Sequence, residues 1–458
     1  MRGLVFLCSL FVCFKFAVVT ALFEGKESWS YVKVRKDAYM FWWLMYADES
    51  LQDYKSAPLV IWLQGGPGGS STGYGNFMEI GPLDVNLKPR NSTWVKFANV
   101  LFIDNPVGTG YSYVNNSNAY ATNNTQIAND LVTLMAVFFN KLPEFQKVPL
   151  YIFSESYGGK MAASFAYALY KSCQAGKIPC NLQGVAFGDG WLSPLDSTSS
   201  WAKYLYSTSL LDGYEVQLVN KVVLEIHQAI TSGRLKKATE LWQSAQDLID
   251  SLTYGINWYN ILAPGEKLSP NVTLPYKHAL YRTFQRLVAP YHGDALYNLM
   301  NGFIKQKLQV IPKNVTWGGQ SDEVFDALMG DFMRPDVEAV DKLLNETSLK
   351  VVVYSGQLDL IVDTIGTLQW VHQLDWPGIK EFQGAKKKPL TVGNTTAAFY
   401  KSFKNLAMFW ILKAGHMVRP CDLLLCSVYH LSFPSFQVPR DAPETAAAMV
   451  QMILAGKV

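Results

Sequence analysis

The stretch Val148-Pro-Leu-Tyr-Ile-Phe-Ser-Glu-Ser-Tyr-Gly-Gly-Lys160 joins an apolar run, Leu150–Phe153, to a small-residue turn centred on Ser156. A helical stretch, Lys160–Lys171, follows it. The run reads as a buried strand and the segment after the turn as a helix. A serine on a sharp strand-to-helix turn is the setting of a nucleophile elbow. Such a turn tolerates only small residues two positions either side of the serine, because larger side chains would collide. Gly158 meets that need, whereas Ser154 is small but stands where the usual pattern has glycine.

Further apolar runs bounded by turns occur at Leu59–Leu63, Val100–Ile103, Gly184–Phe187, Val351–Tyr354 and Ala407–Ile411. Continuous runs of this length suit strands buried on both faces of a parallel sheet. With helices between them they predict an α/β domain, a central mostly parallel sheet flanked by helices. Residues 195–320 read differently. Tyr214–Thr231 and Lys236–Asp250 are amphipathic helical segments with few strand signals around them. A helical insertion, or cap subdomain, is expected there, between a first core part at 22–194 and a second at 321–458.

The chain has 458 residues, 40 Lys plus Arg against 37 Asp plus Glu, and 49% hydrophobic residues. That balance gives no electrostatic footprint for nucleic acid and excludes a disordered protein. The start, Met1-Arg2-Gly3, is basic; Leu4–Phe14 is apolar, Lys15 interrupts it, and Val19-Thr20-Ala21 ends in small residues. This reads as a secretory signal peptide over 1–21, too short to cross about 30 Å of bilayer. No later run is long enough to anchor the chain, so no membrane anchor is expected, and entry into the secretory pathway is. Asn91, Asn115, Asn123, Asn271, Asn314, Asn345 and Asn394 open N-x-Ser/Thr sequons and are glycosylation candidates. Cys173 and Cys180 flank a turn-like Gln-Ala-Gly-Lys-Ile-Pro, and either close a short disulfide or remain free thiols. No cysteine pair or histidine cluster has zinc spacing, so neither a metal nor a cofactor is expected.

A serine hydroxyl needs a base and an orienting acid. On this architecture they follow in the order Ser, Asp, His, on loops after later strands. Ser355-Gly-Gln-Leu-Asp359 follows one predicted strand and Lys413-Ala-Gly-His416 follows another. His227 and His278 fall in helical stretches, His292 in the insertion and His372 beside a helix, so they compete poorly. Asp363 is a rival acid whose expected role is capping the next helix. Oxyanion donors can come from Leu63-Gln-Gly-Gly-Pro-Gly-Gly-Ser-Ser71, since glycine lets a bare backbone N–H approach closely. A phosphate loop does not fit: Gly159-Lys160 is followed by Met161.

Five stretches together resemble the serine carboxypeptidase family, which has the α/β-hydrolase fold. They are Gln64-Gly-Gly-Pro-Gly-Gly-Ser-Ser71, Asp104-Asn-Pro-Val-Gly-Thr-Gly-Tyr-Ser112, Glu155-Ser-Tyr-Gly-Gly159, Tyr354-Ser-Gly-Gln-Leu-Asp359 and Gly415-His-Met417. The resemblance implies removal of C-terminal residues from peptides or proteins through an acyl-enzyme. Ser156 would be the nucleophile, His416 the base and then acid, and Asp359 the orienting acid. The N–H groups of Gly66 and Tyr157 would form the oxyanion hole. Gln64, Gly65, Glu79 and Glu155 would bind the substrate's free carboxylate, with Gln64 replacing the family's asparagine. Two ionised carboxylates beside a third would repel, so Glu79 or Glu155 must be protonated, and activity should favour acid pH, consistent with secretion or the lysosome as the destination. The alternative for Glu79 is a helix-surface carboxylate. Two other functions stay open: acyl transfer by the same triad, and a catalytically weak secreted glycoprotein that binds a partner. A homodimer is also left open.

After His416-Met417 the family pattern breaks. Removing 418–437 restores His-Met-Val-Pro-Arg-Asp-Ala-Pro-Glu. Val418-Arg419 can be encoded by a splice-donor sequence, GTAAGA, and the Leu/Ser/Phe/Pro-rich stretch ending Phe436-Gln437 by a pyrimidine tract closed with CAG. The expected explanation is a retained intron or gene-model error; the alternative is a genuine loop carrying Cys421 and Cys426.

Overall fold

The computed structural model describes residues 25–265, 293–416 and 442–458. The expected leader at 1–21, the Asn271 sequon, Met417 and the 418–437 stretch lie outside them. Eleven strands make one sheet. They are β1 (Glu27–Arg35), β2 (Ala38–Met45), β3 (Leu59–Leu63), β4 (Asn99–Ile103), β5 (Tyr113–Val114), β6 (Pro149–Glu155), β7 (Asn181–Gly188), β8 (Lys350–Gly356), β9 (Lys388–Val392), β10 (Thr395–Phe403) and β11 (Leu406–Ile411). Across the sheet the order is β1-β2-β4-β3-β6-β7-β8-β11-β10-β9, with β5 paired to β2.

The block from β4 to β11 is parallel throughout. Antiparallel pairs finish both edges, β4–β2–β1 on one side and β11–β10–β9 on the other. Every parallel strand contains one of the apolar runs read from the sequence. Along them, alternate residues enter opposite cores, as strand geometry requires. Leu59, Ile61 and Leu63 join one, Val60 and Trp62 the other.

The longer helices are α1 (Asn124–Lys141), α2 (Tyr157–Gln174), α3 (Pro194–Ser207), α4 (Gly213–Thr231), α5 (Leu235–Thr253), α6 (Asp322–Phe332), α7 (Val337–Glu346), α8 (Thr364–His372) and α9 (Pro443–Leu454). α1 and α2 cover one face, burying Ile127, Leu131, Phe138, Met161 and Phe165. α9 covers the other with Met449, Val450 and Ile453. α2 starts at Tyr157 rather than Lys160, because β6 runs on to Glu155 and Ser156 alone makes the turn. The described residues of 195–320 form helices joined by irregular segments and contain no strand. This strand-free stretch continues through α6 and α7 to Leu349. α4 opens on a capping box, Asp212 with Glu215, which satisfies its first N–H groups. The whole is the α/β-hydrolase arrangement expected from the sequence, and it gathers the loops after the parallel strands at one edge, where such sheets bind ligands.

Candidate active site

Ser156 sits between β6 and α2 with φ 59° and ψ −130°, a backbone state that non-glycine residues adopt only under constraint. Its N–H donates to Gly188 O (3.0 Å), and its carbonyl accepts from the N–H groups of Gly159 (2.9 Å) and Trp191 (2.8 Å). A Cβ on Gly158 would lie 2.4 Å from Leu63 O, so the turn closes against β3 only with glycine there. Ser154 is accommodated for a different reason. Its hydroxyl donates to Ala186 O (3.1 Å), and its carbonyl accepts from the Tyr354 hydroxyl (3.1 Å).

His416 and Asp359 are both buried and meet through Nδ1 and Oδ2 at 2.7 Å. The Asp359 carboxylate also accepts from Val362 N–H at 3.2 Å. The His416 backbone N–H donates to Tyr259 O (2.6 Å), and the Tyr259 ring meets the imidazole edge-on at 5.0 Å. The ring is thus held in position with Nδ1 toward the carboxylate. Its Nε2 is buried and makes no hydrogen bond among the described residues. Burial disfavours the imidazolium and lowers the His416 pKa to about 4. Burial also pushes Asp359 up, opposed by the N–H groups of Val362 and Ile361. Asp363 is occupied elsewhere: it caps α8 through the N–H groups of Ile365 and Gly366 and accepts from Ser200. His227 pairs with Ser199.

The glycine loop runs directly against the nucleophile. A Cβ on Gly65 would sit 2.5 Å from Ser156 Cβ and 3.0 Å from its Oγ. Gly66 follows at φ +113°, and Tyr157 opens the first turn of α2, where N–H groups have no helical partner. Asp104 fastens the loop from below. Its buried carboxylate accepts from Ser70 Oγ (2.8 Å), Thr72 N (3.0 Å), Thr72 Oγ1 (2.7 Å) and Tyr111 N (2.9 Å). Trp317 donates to Ser70 Oγ (2.9 Å) and Gln320 to Pro67 O (2.5 Å) from the far side.

Gln64, Glu79 and Glu155 form one buried cluster beside Ser156. The Gln64 amide donates to Glu79 Oε1 (3.2 Å) and Glu155 Oε1 (3.1 Å), and its oxygen accepts from Trp62 Nε1 (2.8 Å). The Gln64 side chain thus bridges both carboxyls. Glu79 lies on a π-helical segment, Ser71–Ile80, that is buried along its whole length, so it is not a surface carboxylate. Burial raises Glu155 well above the usual carboxylate range, and the nearby Glu79, Asp189 and Asp359 raise it further against the Gln64 hydrogen bond.

Sequence reading gave several supporting residues no role. Asp104 opens one of the five resembling stretches without a function read from it, Trp317 is distant in the chain from the loop it holds, and Asp189 follows β7 inside an ordinary-looking Gly-Asp-Gly. Away from this edge, Cys173 and Cys180 are joined as a disulfide. The six described sequon asparagines, Asn91, Asn115, Asn123, Asn314, Asn345 and Asn394, are all exposed. No described helix is long and apolar enough to cross a membrane.

The chain is 53% identical over 404 residues to the retinoid-inducible serine carboxypeptidase of Mus musculus, covering 87% of this chain and 89% of that protein. The Homo sapiens protein of that name is 53% identical over 405 residues, with the same two coverages. Serine carboxypeptidase-like 51 of Arabidopsis thaliana is 41% identical over 421 residues, covering 88% and 91%. A crystal structure of the prohormone-processing carboxypeptidase Kex1 from Saccharomyces cerevisiae superposes with a TM-score of 0.75 over 95% of this chain and 92% of that one. At 20% identity that likeness speaks to the fold. The serine carboxypeptidase family profile matches residues 18–423, and with the identities above this shows that the chain belongs to the serine carboxypeptidase family.

Proposed function

We propose that the chain removes C-terminal residues from peptides through a Ser156–His416–Asp359 triad and an acyl-enzyme, and that it does so best in acid. The observation that carries this is the nucleophile's neighbourhood: a strained serine, a bare glycine backbone pressed on it, and two buried carboxyls sharing one amide next door. Ser156 Oγ attacks the last peptide carbonyl while His416 Nε2 takes its proton, and Asp359 stabilises the imidazolium that forms. The oxyanion is met by the N–H groups of Gly66 and Tyr157. The proton on His416 then passes to the leaving amine, and water repeats the sequence to free the acid.

The carboxyl cluster supports an exopeptidase. An endopeptidase has no use for buried acids at the serine, whereas a protonated carboxyl donates to a substrate carboxylate that an ionised one would repel. Gln64, Gly65, Glu79 and Glu155 are the residues assigned to that recognition. A His416 pKa near 4 leaves the base neutral in a mildly acid compartment. The leader, the disulfide and the exposed sequons support entry into the secretory pathway, toward secretion or the lysosome. We infer that 418–437 is an interruption of the family pattern; the family match itself ends inside it, at residue 423.

The test is labelling by an active-site serine phosphonate followed by peptide mapping. The reading expects one tag, on Ser156, blocked beforehand by a peptide with a free C-terminus but not by its amide. A tag elsewhere, or none on folded protein, would overturn it.

A further inference from the structure

A catalytic triad needs one acid, and this site has two. β7 lies between β6, which delivers Ser156, and β8, which delivers Asp359. Asp189 is the residue immediately after β7, with φ +41°, a left-handed state unfavourable for a residue with a Cβ. The turn is tied to both neighbours. Gly188 O accepts from Ser156 N–H, Asp189 N–H donates to Tyr354 O (2.8 Å), and Trp191 N–H donates to Ser156 O. The side chain is 1% exposed, and its Oδ1 accepts from Gly356 N–H at 2.8 Å. One oxygen of Asp189, one of Asp359 and a ring nitrogen of His416 all lie within 4.8 Å of one another.

Two buried carboxylates at this distance cannot both be ionised without a compensating charge. The other groups facing them do not supply one. They are Glu155 from β6, Tyr354 from β8, Tyr204 from α3, Tyr259 beside the imidazole, and Asp363 at the start of α8. Of all these neighbours only His416 can become positive. The hydrogen bonds assign the charge. Asp359 accepts from His416 Nδ1 and Val362 N–H, which favours its ionised form. Burial first, and then the charge on Asp359, raise Asp189 well above the usual carboxylate range.

We propose that Asp189 is a positioning residue of the triad: its protonated carboxyl donates a hydrogen bond to Asp359, so that the pair carries one negative charge, aimed at Nδ1 of His416. This rests on the triad reading above. It separates two pH effects. Loss of the proton on the Glu79/Glu155 pair weakens substrate binding and shows in KM. Loss of the proton on Asp189 removes the hydrogen bond that aims Asp359 at Nδ1, sets two like charges against each other and shows in kcat.

The experiment is kcat and KM against pH for the glycosylated protein, Asp189→Asn and Asp189→Ala, using an N-blocked dipeptide. The asparagine amide offers an N–H where the carboxyl offered O–H. D189N is therefore expected to keep kcat at acid pH within about fivefold and to lose the alkaline fall of kcat, with KM still rising. D189A, lacking any donor, should lose about ten- to hundredfold in kcat at acid pH with KM little changed, on the scale of misplaced catalytic groups. Should D189A not fold, Asp189→Ser, whose hydroxyl is too short to reach Asp359, takes its place. D189N as damaged as D189A, or D189N with the unaltered kcat profile, would overturn the proposal alone. Inhibition by a chelator, pointing to a cation at the cluster, would overturn it as well. Turnover surviving in Ser156→Ala would overturn the triad reading, and this proposal with it.

Discussion

Replacing Glu155 by glutamine isolates the role of the buried carboxyl pair. Gln64 spends both amide hydrogens on Glu79 and Glu155, and its oxygen is held by Trp62. Beside the Gly65 backbone, the side-chain hydrogen bond offered to a substrate carboxylate must therefore come from a proton on one of the two acids. If binding requires that proton, KM rises up to about tenfold for each pH unit above its titration, the equivalent of about 1.4 kcal/mol per unit. A hydrogen bond to a charged group contributes about 1.5–3 kcal/mol, so about ten- to a hundredfold in kcat/KM is at stake if the donor vanishes. Glutamine keeps a donor that does not titrate. E155Q should therefore stay within about tenfold of the parent kcat/KM near pH 5, and its KM should change less than about threefold up to pH 7.5, while the parent KM climbs with pH. The assay is amino acid release from an N-blocked dipeptide, with initial rates over a substrate series at each pH. A KM slope in E155Q equal to that of the parent would refute the reasoning.

Gly65→Ala would force a Cβ to within 2.5 Å of Ser156 Cβ and 2.8 Å of Glu155 O; kcat should fall at least about a hundredfold with little change in the far-ultraviolet circular dichroism spectrum. On the acid side, His416 must be neutral to accept the serine proton, and its pKa is lowered to about 4. kcat/KM should therefore hold down to about that pH and fall about tenfold per unit below it; a fall already centred near 6.5 would contradict this. Stability should run the same way. Burial raises Asp336 to about 6 and Asp363 to about 7, so the folded chain binds protons that the unfolded chain releases from about pH 4 upward. That contribution is present in acid and lost as pH rises through these values, and the thermal midpoint should be higher near pH 5 than near pH 7.5.

The parallel half of the sheet was legible in the sequence because its six strands are buried on both faces and spell continuous apolar runs. The edges were not. β9 is exposed at Lys388, Pro389 and Thr391, β10 is mostly half-exposed, and such strands carry no comparable run. The turn at Ser156 was readable from Gly158, while the tolerance of Ser154 needed the Ala186 carbonyl, which only β7 brings into reach. Glu79 could be read from the motif alone as binding residue or surface carboxylate; the π-helical register that buries it depends on Trp62 and Trp317 packing on Gly75 and Gly73. Asp189 is the clearest case of chemistry invisible in one dimension. Its neighbours at the site are 170 and 227 residues later in the chain, and only the β6–β7–β8 order brings them together.

The most direct measurement uses glycosylated protein in two forms, as written and without 418–437, each with a Ser156→Ala counterpart. Matched N-blocked dipeptides, one with a free C-terminal carboxylate and one amidated, are incubated from about pH 4.5 to 7.5, and the released residue is quantified. Release from the free acid alone, strongest in acid and absent in both Ser156→Ala forms, is the expected result, with the shortened form the more active because the extra stretch begins two residues past His416. Equal release from the amide, or release that survives without Ser156, would contradict the account.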